Sequence, residues 1–135
     1  MQSVGFRPRK WKGVLSLAVR IEIGIDSVSP ESLAAFWADA LGYTIGDWDR
    51  AGTYLDLVPP QAGLPVVYLQ RVPEPKTVKN RLHLDLLTTE PEELIGRLVS
   101  LGATPVGAAM SGSEGGSWQV MADPEGNEFC VCHVE

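Results

Sequence analysis

The sequence predicts an α+β fold in which two βαβββ modules form a curled, eight-stranded sheet with the helices outside it. Two observations predict this fold: an internal repeat that covers most of the chain, and strands in which apolar and polar residues alternate. Such alternation places one sheet face against helices and leaves the other face to meet solvent or a ligand. With 135 residues the chain has the length of one domain.

The repeat aligns RIEIGIDSVSPESLAAFWADALGY, which begins at Arg20, with RLHLDLLTTEPEELIGRLVSLGA, which begins at Arg81. Glu22 then corresponds to His83, and the helix-starting proline falls at the same place in both copies. The predicted division is a basic N-terminal tail (1–14), a first module (about 15–71), an extended connector (72–80) and a second module (about 81–135).

Each copy predicts one helix, which proline starts and glycine ends. Ser29 is the predicted N-cap of the first helix. The core-facing stripe of that helix follows the i, i+3, i+4, i+7, i+8 spacing and comprises Leu33, Phe36, Trp37, Ala40 and Leu41. The second helix is predicted to bury one face, formed by Leu94, Leu98 and Leu101.

The first strand of each module has an apolar and a polar face. The apolar residues, which we expect to cover the helices, are Ile21, Ile23 and Ile25, and in the second copy Leu82, Leu84 and Leu86. The opposite face carries Arg20, Glu22 and Gly24, and in the second copy Arg81, His83 and Asp85. The later strands are predicted at Tyr43–Gly46, Thr53–Val58, Val66–Arg71, Thr104–Val106, Ser117–Ala122 and Glu128–Val134.

The last predicted strand follows a tight turn, DPEGN, and carries two cysteines on one face. Cys130 and Cys132 are poorly placed for a disulfide, because the Cα atoms of residues i and i+2 in a strand are nearly 7 Å apart. A solvated outer face would explain the polar residues of the first strands alone. A sheet curled around a partly polar cavity also explains the cysteines, which favour burial.

The charge distribution argues against a nucleic-acid partner. The net charge is −6, and four basic residues of the tail, Arg7, Arg9, Lys10 and Lys12, leave 7 basic and 17 acidic residues in the remainder. An acidic body repels a phosphate backbone. No apolar run approaches the roughly 20 residues of a membrane-spanning helix. We therefore expect a cytoplasmic protein without a membrane or nucleic-acid partner.

Three stretches carry a family resemblance: SPESLAAFWADALGY, VPEPKTVKNRLHLDL and DPEGNEFC. Their order and spacing resemble the vicinal oxygen chelate (VOC) superfamily, and within it the glyoxalase-like domains of the glyoxalase/bleomycin resistance protein/dioxygenase family. The resemblance runs from about Leu15 to the C-terminus. It implies a U-shaped, eight-stranded sheet around a ligand cavity and an assembly that is frequently a homodimer.

The resemblance also implies where a metal would be held. Metal-dependent relatives take ligands from the first and last strands of each module, positions that fall here on Glu22, His83 and Cys130. Relatives usually have glutamate where this chain has Cys130, and the first-module counterpart is either Gln70 or Tyr68. We therefore expect no complete metal site, with a divalent ion (Zn, Ni, Fe or Mn) as the alternative.

Three functions remain as hypotheses. The first is binding of a small apolar or aromatic compound in the cavity, with Trp118 or Trp48 as a roof. The second is an isomerase or lyase that acts on a carbonyl compound through Glu22 and His83, with or without metal. The third is an interaction module with a vestigial cavity. Efficient glyoxalase I activity is not expected, because Cys130 replaces the carboxylate that would shuttle the substrate proton.

Overall fold

The computed structural model describes residues 21–112 and 116–135, so the predicted basic tail and residues 15–20 of the first module lie outside the described residues. The first module contains β1 (Glu22–Ser27), α1 (Pro30–Leu41), β2 (Thr44–Trp48), β3 (Tyr54–Val58) and β4 (Val66–Arg71). The second contains β5 (Asp85–Thr88), α2 (Pro91–Ser100), β6 (Thr104–Pro105), β7 (Met110–Ser111), β8 (Ser117–Ala122) and β9 (Glu128–His133).

The two modules have the same topology. The strand order is β1-β4-β3-β2 in one sheet and β5-β9-β8-β6 in the other. In both sheets the first strand runs parallel to the last, and the other pairs are antiparallel. The α+β fold and the two repeated modules predicted from the sequence are therefore confirmed, with the strands hydrogen-bonded as two sheets in the described parts of the chain.

The second module differs from the prediction at its edge strand. The sequence predicts one strand over Thr104–Val106, but the structure has two short strands that both pair with β8. The strand β6 pairs with the Ala122 end of β8, and β7 pairs with the Ser117 end. Together they occupy the position that β2 holds beside β3, where the pairing register is also irregular. The repeat therefore keeps four strand positions in each module.

Backbone geometry, rather than a side-chain cap, starts and ends α1. Pro30 occupies the first turn, as predicted, but the Ser29 side chain makes no capping hydrogen bond. Its hydroxyl is instead 3.4 Å from the hydroxyl of Ser32. Gly42 adopts a left-handed conformation with φ of 68°, which a glycine accepts without strain, and its amide bonds back to the last helical turn.

The core joins the two modules. Leu33, Phe36 and Trp37 of α1 are buried together with Phe129 of β9. The Trp37 ring meets Phe36 at a centroid distance of 5.3 Å and Phe129 at 5.1 Å, both edge to face. Such pairs add about 0.5–1.5 kcal/mol to the free energy of burial. Helix α1 of the first module therefore packs directly on the last strand of the second.

Two residues predicted to lie under the helices are exposed. Leu82 is 90% exposed and Ile21 is 72% exposed, whereas Ile23, Ile25, Leu84 and Leu86 pack against the core. Strand β5 begins only at Asp85, and Ile21 precedes β1. The prediction for Leu82 and Ile21 is wrong because both residues precede their strands. Outside a strand, the alternation of side chains does not determine which residues pack against the helices.

Candidate functional site

A groove of 580 Å³ separates β1 from the segment that leads into β5. Its walls are mainly apolar and include Ile21, Ile23, Ile25, Trp37, Leu82, Leu84 and Phe129. Four residues with ionisable side chains, Glu22, Asp26, His83 and Glu128, lie among them. The predicted acid–base pair Glu22 and His83 therefore lines one groove, from opposite modules.

A second cavity of 380 Å³ lies on the second module. It is lined by His83, Asp85, Gly116, Ser117, Trp118, Cys130, Cys132 and His133. Trp118 lies directly across the β8–β9 ladder from Cys132. His83 lines this cavity as well as the groove, so its imidazole stands at the boundary between them.

The side chains of His83, Asp85 and Cys130 converge in the second cavity. The Nδ1 atom of His83 is 3.0 Å from Oδ1 of Asp85. Asp85 and Cys130 are register partners on the parallel strands β5 and β9. One donor atom from each of the three residues lies within 4.8 Å of the others. The arrangement provides an imidazole, a carboxylate and a thiol on one sheet face.

Asp85 is the site residue that the sequence prediction missed. It shares the polar face of its strand with His83, and period-2 alternation had already placed it there. The positions implied by the family resemblance included only His83 of that polar pair. A search for polar residues at i and i+2 would have found it.

Burial keeps both cysteines in the thiol form at neutral pH. Burial raises the pKa of Cys130, and the negative charge of Asp85 raises it further. The same two causes raise the pKa of Cys132. Since the thiolate is the reactive nucleophile, neither cysteine is activated for covalent catalysis in this environment.

The strand register identifies the first-module counterpart of Cys130. Gly24 pairs with Tyr68 in the β1–β4 ladder, just as Asp85 pairs with Cys130 in the β5–β9 ladder. Because Gly24 aligns with Asp85 in the repeat, Tyr68 rather than Gln70 corresponds to Cys130. Gln70 corresponds instead to Cys132 by the same register.

The two modules fill their equivalent positions in different ways. A Cβ atom built on Gly24 would lie 2.6 Å from the ring of Tyr68, so that ring covers the glycine. Tyr54 meets Tyr68 edge to face at 5.8 Å. The first module therefore places aromatic rings where the second module places a carboxylate and a thiol.

Trp48, predicted as a cavity roof, lies elsewhere. It is the last residue of β2 and packs against the hydrophobic core. The guanidinium of Arg71 stacks over its ring at 5.1 Å, and Arg71 also forms an ion pair with Glu31 of α1. Trp48 is thus on the helix side of its sheet and borders neither of the two cavities described above.

The metal set implied by the family resemblance fits these residues only in part. Among the residues that the structure describes, the group able to hold an ion contains His83 and Cys130 but takes its third donor from Asp85. Glu22 is outside that group, and Tyr68 stands where the first module would add a ligand. Within the described residues, this candidate group therefore lies in the second module alone.

The comparisons with known proteins agree with this architecture. A family model described as glyoxalase-like domain matches residues 22–132. A glyoxalase/bleomycin resistance protein/dioxygenase family enzyme from Burkholderia phytofirmans has a TM-score of 0.66 at 20% identity, covering 84% of this chain and 97% of that one. A comparison with curated protein sequences finds no match.

The names of two further solved structures state what those proteins bind or catalyse. A bleomycin-binding protein complexed with bleomycin has a TM-score of 0.59 at 21% identity, covering 87% of this chain and 100% of that one. A lactoylglutathione lyase from Agrobacterium tumefaciens has a TM-score of 0.60 at 17% identity, covering 88% and 95%. At these identities the likeness shows the fold.

The fold is that of the glyoxalase/bleomycin resistance/dioxygenase superfamily. Within it, the chain belongs to the glyoxalase-like domain family, because the family model covers most of its length. None of the helices in the described residues is long and apolar enough to span a membrane.

Proposed function

We propose that this protein binds a small apolar or aromatic compound in the groove between the modules, without a metal shared between them. The observation that supports the proposal is the composition of the groove: 580 Å³ of space with isoleucine, leucine and aromatic walls and a few ionisable groups. Ligand pockets typically span about 300–1,000 Å³ and combine apolar walls with a few polar groups that fix orientation.

The distribution of polar groups suggests the type of ligand. Glu22 and Asp26 enter the groove from β1, and His83 enters from the opposite wall. A compound with an apolar body and a polar substituent at one end would satisfy both kinds of surface. The superfamily includes a bleomycin-binding protein, so its fold is compatible with this role in a relative.

Binding is tested with a panel of aromatic and alicyclic compounds, first by thermal shift and then by calorimetry. Leu82→Asp is the diagnostic variant, because Leu82 lines the groove and is so exposed that the change should leave folding intact. Val78→Asp is the matched control, since Val78 is 75% exposed and lies outside the groove. We expect weakened binding only in Leu82→Asp; equal affinity in both variants would contradict the proposal.

An enzyme acting on a carbonyl compound is the second candidate. The observation that favours it is the contact between His83 Nδ1 and Asp85 Oδ1. A carboxylate in this position orients an imidazole for proton transfer through its other nitrogen. Such an isomerase would remove a proton next to the carbonyl and return it to the neighbouring carbon.

The assay for this activity uses the hemithioacetal of methylglyoxal, with zinc, nickel or cobalt added. We expect no turnover at ordinary enzyme rates, because Cys130 is a thiol rather than a carboxylate. Turnover in the parent protein that is lost in His83→Ala and in Glu22→Gln would show that the protein is an enzyme, and would contradict a function limited to binding.

We also propose that the protein functions as a homodimer. Leu87, Val58 and Ile45 are 65%, 47% and 46% exposed in the described chain, and large exposed apolar side chains are typical of surfaces covered on assembly. Sedimentation velocity at micromolar concentrations is the test. A monomer throughout that range would contradict the dimer but leave the ligand groove unaffected.

A further inference from the structure

The second cavity contains a set of donors whose chemistry the ligand groove does not use. His83, Asp85 and Cys130 offer one nitrogen, one oxygen and one sulfur atom, all within 4.8 Å of one another. The side chains of His83 and Asp85 are 46% and 49% exposed, so an ion arriving from solvent can reach them. Cys130 forms the buried floor of the group.

The spacing of these donors suits a common ion. With bond lengths of about 2.0–2.3 Å to nitrogen, oxygen and sulfur, two ligands of a tetrahedral zinc ion are about 3.3–3.8 Å apart. The observed limit of 4.8 Å exceeds this by about 1 Å. Rotation of the two exposed side chains, those of His83 and Asp85, would close that difference, while the parallel pairing of Asp85 with Cys130 fixes their backbones.

We propose that His83, Asp85 and Cys130 hold one thiophilic divalent cation, of the zinc type, on the second module alone. Three protein ligands leave a coordination position that faces the 380 Å³ cavity. A sulfur donor selects zinc, cobalt or cadmium over magnesium, calcium or manganese, which favour oxygen. This inference goes beyond the proposed ligand groove and does not depend on it.

The proposed site differs from a set of ligands shared between modules. Asp85 supplies the donor that the first module would otherwise contribute. At the equivalent place in the first module the aligned residue is Gly24, and the ring of Tyr68 covers it. The second module therefore has metal-donor side chains at positions where the first module has aromatic rings. For this reason the ion is assigned to the second module alone.

The experiment uses the full chain, free of affinity tags and stripped with chelator. Equilibrium dialysis against zinc, with elemental analysis of the protein, should give about one ion per chain. Cobalt substituted for zinc should show a sulfur-to-cobalt charge-transfer band in the near ultraviolet. The absence of zinc binding at concentrations up to about 100 μM, well above typical zinc-site affinities, would overturn the proposal.

Four variants separate this site from its alternatives. Cys130→Ser should abolish the charge-transfer band, and His83→Ala should weaken zinc binding at least about tenfold. If the buried Cys130→Ser change prevents folding, the loss of zinc affinity in His83→Ala still tests the proposal. Glu22→Gln should bind normally, and an equal loss there would mean that the ion lies between the modules. Cys132→Ser should also bind normally; loss of zinc in that variant would assign the ion to the cysteine pair and overturn the proposed set.

Discussion

The indole Nε1 of Trp37 donates a hydrogen bond of 2.9 Å to Oδ2 of Asp123, and both side chains are buried. The bond joins α1 of the first module to the DPEGN turn of the second. Asp123 also accepts bonds from the backbone amides of Glu125 and Asn127. Glu125 in turn accepts a hydrogen bond of 2.7 Å from the amide of Val28, beyond the end of β1. The turn therefore ties the two modules together.

We predict that Asp123→Ala destabilises the protein by at least about 2 kcal/mol, because hydrogen bonds to a charged group are worth about 1.5–3 kcal/mol and the change leaves buried donors without an acceptor. Urea denaturation followed by circular dichroism measures the free energy of unfolding.

Arg97→Ala is the matched control. Arg97 also bonds across the modules, to Asp39, but both side chains are about half exposed. Exposed ion pairs contribute about 0.2–1 kcal/mol, so the loss should be small. If the two variants were equally destabilised, burial of the Asp123 network would not be what holds the modules together.

A second prediction concerns the aromatic packing of the first module. In Gly24→Ala the new Cβ would lie 2.6 Å from the ring of Tyr68, so the ring must move away from β1. We expect a lower free energy of unfolding, by about 1–3 kcal/mol, as is typical of overpacked sites. Thermal denaturation and the near-ultraviolet circular dichroism of the tyrosines measure both effects.

Gly96→Ala controls for the glycine-to-alanine change itself. Gly96 lies within α2, and a Cβ there would meet nothing within 4 Å. Since glycine inside a helix costs about 1 kcal/mol relative to alanine, this variant should be more stable than the parent. A Gly24→Ala protein as stable as the parent would mean that the tyrosine ring does not require the glycine.

The repeat made the fold predictable. Proline and glycine mark both helices, and period-2 alternation marks the strands, since each signal depends on local geometry. The edge strands were less predictable: the two short strands at Thr104–Pro105 and Met110–Ser111 are set by pairing with β8, which local sequence does not encode.

The sequence predicted some residues of the candidate site correctly but could not decide the position of others. His83 and Cys130 line one cavity, as their strand faces suggested, and Trp118 lines the same cavity. The choice between Tyr68 and Gln70 required the β1–β4 register, because the chain alone does not fix which residue of β4 faces Gly24. Trp48 lies beyond the strand predicted over Tyr43–Gly46, whereas in the structure it ends β2, where Arg71 stacks on its ring.

The last prediction concerns pH. Lys79 donates a hydrogen bond to the carboxylate of Glu128, and Nζ of Lys76 is 3.8 Å from the same group. The bond from Lys79 holds the pKa of Glu128 below its ordinary value of 4.5. A carboxyl group whose pKa is lowered on folding contributes stability above its unfolded pKa and loses it as the pH falls through the folded pKa.

We therefore expect Glu128→Gln to lower the free energy of unfolding at pH 7 by less than about 1 kcal/mol, because Lys79 is largely exposed. The difference from the parent protein should shrink below pH 4.5 and vanish once Glu128 is protonated in the folded state. Urea titrations at intervals between about pH 2.5 and about pH 7 measure this difference, within the range where carboxyl groups titrate.

Glu135→Gln, which neutralises an exposed carboxylate near the C-terminus, controls for net charge. If Glu128→Gln lowered the free energy of unfolding by the same amount at every pH, the stabilising effect of Glu128 would come from packing and not from the ion pair between the connector and β9.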